Sequence, residues 1–142
     1  MRKGQALIET TLVLIVLLSF VLGTFDFGQY LYFHQALVER ARAAVRYGAV
    51  NPTDRAGIRN VAVYNDPTAP RGATPLLPNL EAGMIAVCLP GDHSCANPSL
   101  GADARVTVTI SGYRMVMFNL FLPGSFTNRP IVASAPSEAP SS

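Results

Sequence analysis

The sequence predicts an α+β protein: a long N-terminal α-helix, transmembrane at first and then amphipathic, packed on a small antiparallel-sheet domain. Three observations carry this. An apolar run near the N-terminus is long enough to cross a bilayer; helical periodicity continues beyond it without a proline; and short alternating segments appear only in the second half of the chain.

The first element is the apolar run Ala6 to Phe25. A helix needs roughly 20 apolar residues to span the hydrocarbon core. Arg2 and Lys3 precede the run, as in a secretory signal. The run is longer than the ~7–15 apolar residues of such a signal, and Gly23-Thr24-Phe25-Asp26-Phe27 is a poor context for signal cleavage. A retained helix is the expectation. Within the run Glu9 is the one charge. A carboxylate at a bilayer centre costs roughly 2.5–3.5 kcal/mol on insertion scales. Glu9 lies near one end, where its alternatives are a partner, snorkelling to the headgroups, or protonation.

Beyond Asp26 the helical period persists. Tyr30, Phe33, Leu37, Ala41, Ala44 and Gly48 recur at steps of three and four and mark one face, whose ordinary role is core packing. Gln29, Gln35, Glu39, Arg40, Arg42 and Arg46 fall on other faces. Gly23 and Gly28 are weak points, each costing about 1 kcal/mol relative to alanine, and mark a bend or a close helix contact. Gly48, Arg46 and then Asn51-Pro52 stop the helix near Val50. The aromatic residues around Phe25 to Phe33 suit a membrane interface, and His34 reads as solvated or interfacial.

Asp54 is placed to cap a second helix through about Tyr64, with Ile58, Val61 and Ala62 on its apolar side. Asn65 to Asn79 is rich in Pro and Gly and reads as a loop. Met84 to Leu89 reads as a short strand. Arg105 to Ser111 alternates apolar and polar residues, as a strand with one buried face does, and the two pair as a hairpin. Met115 to Leu122 suggests a short helix or turn. Arg129 to Ser134 suggests a third strand, pushed to an edge by Pro130. The tail from Ala135 is small and polar, which predicts disorder.

Composition excludes some functions. A net charge of +2 with no Lys/Arg cluster and no aromatic-basic interleaving argues against nucleic acid. No nucleophile elbow, phosphate-binding loop or zinc-protease motif is present. Asp92-His93-Ser94 is contiguous in a Pro/Gly loop, and adjacent residues there do not converge on one substrate. No enzyme, cofactor or small-molecule substrate is expected. Cys88 and Cys95 are open to three readings: a disulfide closing a short loop in an oxidising compartment, free thiols, or a metal site recruiting Asp92 and His93. The disulfide leads. The metal reading comes last because the spacing matches no zinc pattern.

Gly4-Gln5-Ala6-Leu7-Ile8-Glu9, Phe25-Asp26-Phe27-Gly28 with Tyr32, and Glu39-Arg40-Ala41-Arg42-Ala43-Ala44-Val45-Arg46-Tyr47 together resemble the TadE family of the tight adherence (Tad/Flp) pilus system. The resemblance runs from about Gly4 to Ala49 and is looser downstream. It implies a pilin-like minor pilin, or pseudopilin. A prepilin peptidase would cut between Gly4 and Gln5, and Glu9 would act in assembly by pairing with the new amino terminus of a neighbour. Asp26, Phe27 and Gly28 form a family motif. One departure is that many relatives carry a proline within the apolar helix, where Leu12 to Leu18 is unbroken here.

The resulting plan is a leader peptide over 1–4, a transmembrane helix over 5–27, its amphipathic continuation over 28–50, a small periplasmic α+β domain over 51–134 and a tail over 135–142. The expected setting is the bacterial inner membrane, crossed once, N-terminus in the cytoplasm, in the membrane or in the pilus itself. The expected partners are the membrane, the peptidase and other pilins or pseudopilins. Two rival readings stand beside it: an outer binding module for which the helix is only an anchor, and a membrane-bound enzyme using Asp92 and His93.

Overall fold

The computed structural model describes residues 2–69, 72–92, 95, 105–114 and 129–137. Helix α1 runs without a break over Arg2–Val50, 49 residues. It starts ahead of the expected Gln5, so Arg2 to Gly4, expected to be a leader, form its first turn. It passes straight through Gly23 and Gly28, where an added Cβ would meet nothing within 4 Å. Of the bend or close helix contact expected at these glycines, the contact is not made among the described residues.

After Val50, helix α2 spans Arg55–Tyr64. Its N-cap is Asp54, whose Oδ1 accepts from the Gly57 amide at 2.8 Å. Its other oxygen accepts from the Tyr47 hydroxyl at 2.9 Å, tying the end of α1 to the start of α2. At the other end Asn65 takes the left-handed conformation, φ 61°, and its amide returns to the Val61 carbonyl. Arg40 of α1 donates to the Asn65 side chain at 3.0 Å.

A 3-10 turn, Ala82–Met84, leads into strand β1, Ile85–Cys88. Strands β2, Arg105–Ile110, and β3, Ile131–Pro136, complete an antiparallel sheet of order β1-β2-β3. Ile85 faces Ile110 and Cys88 faces Thr107; on the other side Ile110 faces Ile131 and Arg105 faces Pro136. The predicted hairpin pairing of the first two strands and the edge position of the third are present. Two boundaries differ. Strand β3 begins after Pro130 and continues through Ala135 and Pro136, the first residues of the expected tail. Pro136 pairs at the strand end opposite Arg105, where its missing N–H is tolerated. Strand β2 also departs from simple alternation: Thr107 is 1% exposed although it belongs to the face opposite Val106 and Val108. It is central in the sheet, walled by Cys88 and Ser134. The expected element at Met115 to Leu122 and the tail beyond Ser137 lie outside the described residues.

The core is where the helix stripe meets the sheet and α2. Leu37, Ala41, Ala44, Ile58, Ala62, Val63, Val106 and Val108 are fully buried, with Tyr30 and Phe33 packed against them. Alanine and glycine on the stripe let the elements approach closely: a Cβ at Gly48 would stand 2.8 Å from a Val106 methyl and 2.9 Å from Ile58 Cδ1. Fifteen residues lower on α1, the Phe33 ring lies 6.5 Å from that of Tyr113. That stretch of helix is about 22 Å long, and the seven residue steps from Val106 to Tyr113 cover at most about 23 Å. Strand β2 therefore runs antiparallel to α1. Its Arg105 end, with Cys88, lies at the level of Gly48, and its Tyr113 end lies nearer the apolar half of the helix.

Candidate functional site: the exposed half of the first helix

The apolar half of α1 is long and apolar enough to cross a membrane, and none of its most apolar stretch is covered by the rest of the chain. Leu7, Ile8, Leu14, Phe20 and Phe25 are each more than half exposed. Its hydroxyls are satisfied within the helix. Thr10 and Thr11 donate to the carbonyls of Ala6 and Leu7 at 2.8 Å, Ser19 to Ile15 at 2.8 Å and Thr24 to Phe20 at 2.9 Å. Such back-bonding lets a hydroxyl sit in an apolar medium, since its proton is not left bare.

Glu9 differs. It is exposed and makes no ion pair among the described residues. Gly4 and Gln5 lie on the first turns of the same helix, also exposed. Gln5 is four residues from Glu9, one turn along the helix face. The peptide bond between Gly4 and Gln5 is thus helical, and a protease acting there would have to unwind the first turn to bring it into an extended conformation. The helix N-terminus tolerates this, because its first four N–H groups have no intrahelical partner.

The Asp26-Phe27-Gly28 motif splits between faces. Phe27 is 62% exposed. Asp26 is half-buried, and its Oδ1 is shielded from solvent without a hydrogen-bond partner. Gly28 lies in an open apolar groove of about 730 Å³ that runs from Phe20 to Phe33. Two turns on, His34, expected to be solvated or interfacial, is not fully solvated. It is half-buried, its ring parallel to Tyr30 with centroids 6.3 Å apart, and its Nδ1 is shielded and unpartnered.

Cys88 and Cys95 are joined as a disulfide, with Cα atoms 5.8 Å apart. Asp92, within the loop so closed, is ion-paired with Arg55 on the first turn of α2. Its carboxylate holds the loop against the helix. His93 and Ser94 lie outside the described residues, and among the described residues no three potential metal ligands gather.

Sequence reasoning missed several contacts. Leu77 and Leu80, in the stretch read only as loop, are 7% and 0% exposed and plug the core. The Tyr113 hydroxyl donates to the Pro78 carbonyl at 2.9 Å and pins the same loop; burial pushes this phenol's pKa up. Gly57 is needed because a Cβ there would collide with the Asp54 carboxylate, and no sequence pattern announces it. The hydrogen bond to Asp54, with burial and the nearby carboxylate charge, raises the Tyr47 pKa above its usual value. Two bonds from Thr68, one from its amide and one from its hydroxyl, lower that of Asp66.

Residues 4–46 match the TadE family model, described as TadE-like protein. The match opens on Gly4, encloses Glu9 and the Asp26-Phe27-Gly28 motif, and closes on Arg46, where the resemblance read from the sequence extends to Ala49. No curated protein and no solved structure matches the chain.

Proposed function

We propose that the protein is a TadE-like minor pilin or pseudopilin that acts in assembly of Tad/Flp-type pili or the associated secretion apparatus. The observation that carries this is the family match over residues 4–46, laid on a continuous helix whose most apolar stretch is left uncovered among the described residues. In this reading α1 spans the bacterial inner membrane once, with the N-terminus in the cytoplasm. The α+β domain lies outside, where the oxidising environment suits the Cys88–Cys95 bond.

A prepilin peptidase cuts between Gly4 and Gln5 and leaves an ammonium at Gln5. Glu9 becomes the fifth residue of the processed chain. In an assembly its carboxylate pairs with the ammonium of a neighbouring subunit. In a low-dielectric setting such a pair is strong, while an unpaired carboxylate is costly. The pair acts as a register pin, setting how far an incoming helix slides. No step of this role asks the protein for catalysis or a cofactor.

Intact mass of the native protein tests the cut: the expected N-terminus is Gln5. A retained Met1-Arg2-Lys3-Gly4 leader in cells with active peptidase refutes it. Glu9→Ala is expected to insert and accumulate normally but to abolish piliation. Normal piliation in that variant removes Glu9 from the mechanism.

A further inference from the structure

The end of the sheet nearest the apolar half of α1 carries two arginines without an ion pair among the described residues. Arg114 follows Tyr113, whose ring lies against Phe33. Arg129 enters β3 from the same end, because Ile131 faces Ile110 in the register. Both are exposed, and neither is ion-paired among the described residues. Asp26 on α1 and Glu81 ahead of β1 are carboxylates toward this end, and neither takes up the arginines.

Their height above a bilayer follows from the helix. If the hydrocarbon core ends at Phe25, Phe33 lies eight residues further, about 12 Å along the axis. The headgroup layer occupies about 5–7 Å of that distance. The two arginine backbones then stand within about 5–7 Å of the outer face of the headgroups, inside the ~8 Å Debye length of physiological salt. A helix tilt toward the side that carries the sheet lowers them further. Arginine is suited to this position: its planar fork binds phosphate oxygens in pairs and its stem reaches across apolar surface.

We propose that Arg114 and Arg129 dock the outer domain on the phosphates of anionic phospholipids, which fixes the domain's orientation on the membrane. The proposal rests on the reading of α1 as a membrane-spanning helix. Each basic residue near an anionic leaflet strengthens surface attachment by about fivefold.

The test uses the full chain in lipid nanodiscs, zwitterionic or supplemented with phosphatidylglycerol, and follows amide hydrogen exchange over residues 111–114 and 129–131. The expected result is several-fold slower exchange with phosphatidylglycerol. That slowing should vanish in the double variant Arg114→Gln/Arg129→Gln and persist in Arg105→Gln, which alters the far end of β2. Equal exchange in both lipids, or an unaffected double variant, overturns the proposal. So does an equal slowing by inorganic phosphate in zwitterionic discs, which would make the site one for free anions. Extraction of the wild-type chain from vesicles by alkaline carbonate would overturn the spanning reading and the docking with it. A chain that resists extraction but ignores lipid charge overturns the docking alone.

Discussion

The two halves of α1 share one backbone and almost nothing else. From Tyr30 to Val50 the helix spends its apolar residues on its own domain: Leu37, Ala41 and Ala44 are fully buried. From Gly4 to Gly28 most of them are left uncovered among the described residues, and Leu7, Leu14 and Phe25 stay exposed. The stripe of the upper half is narrow and rich in small residues, as a face seated on α2 and a sheet must be. The lower half is apolar all round, which suits a medium that touches every face. The two halves therefore answer to different constraints, fold stability above and partner or bilayer below.

Substitutions that respect or violate this division sharpen it. Leu37→Ala should cost about 2–5 kcal/mol in chemical unfolding of the domain, by deleting a fully buried side chain. Leu14→Ala, 23 residues earlier on the same helix, should leave that unfolding unchanged. Equal losses would mean that the halves fold as one unit. Gly48→Ala is expected to cost about 1–3 kcal/mol by overpacking, because the new Cβ meets Val106 and Ile58. The same change at Gly28 meets nothing within 4 Å and should leave the domain at least as stable as before, measured by the same denaturant midpoint.

Asp54→Ala removes the α2 cap and the acceptor for Tyr47, and should cost about 0.5–2 kcal/mol in the same assay. The smallest expected effect is in pH. The Tyr47 phenol has its pKa raised in the folded state, so its contribution is fully present below the unfolded pKa of about 10 and is lost as pH rises through the folded value. Asp66 has the opposite sign. Its pKa is lowered, so its contribution is present above the unfolded carboxylate pKa and fades as pH falls through the folded one. Denaturation midpoints of Tyr47→Phe and Asp66→Asn against the wild type should converge at the alkaline and acid ends respectively.

Much of the fold was legible in the chain. Periodicity alone marked Leu37, Ala41, Ala44 and Gly48 as one face, and Asp54 as a cap, because both signals are local and repeat or sit at fixed offsets. The candidate site was legible for a related reason. Gly4, Gln5 and Glu9 are close in sequence on a single helix, so their spacing already sets their geometry. The misses are long-range. Leu77 and Leu80 fill a gap whose walls come from other elements. Arg55 finds Asp92 across 37 residues, and nothing in either neighbourhood names the other. The strand boundary at Pro136 depends on the register with Arg105, which no local composition encodes.

By itself, then, the sequence determined the long helix, the change of character near Gly28, the capped second helix, the hairpin pairing and the TadE-like N-terminal pattern. Each follows from hydrophobic period, cap chemistry or motif spacing within a few turns of chain. Tertiary structure alone decided which way the sheet lies along the helix, which loop residues enter the core, and which charged ends meet. That orientation sends the disulfide to the far end and brings Arg114 and Arg129 toward the apolar half of α1. The physical reason is close packing: the small residues at Ala41, Ala44 and Gly48 admit the sheet in one seating, and that seating assigns every distant residue its neighbours.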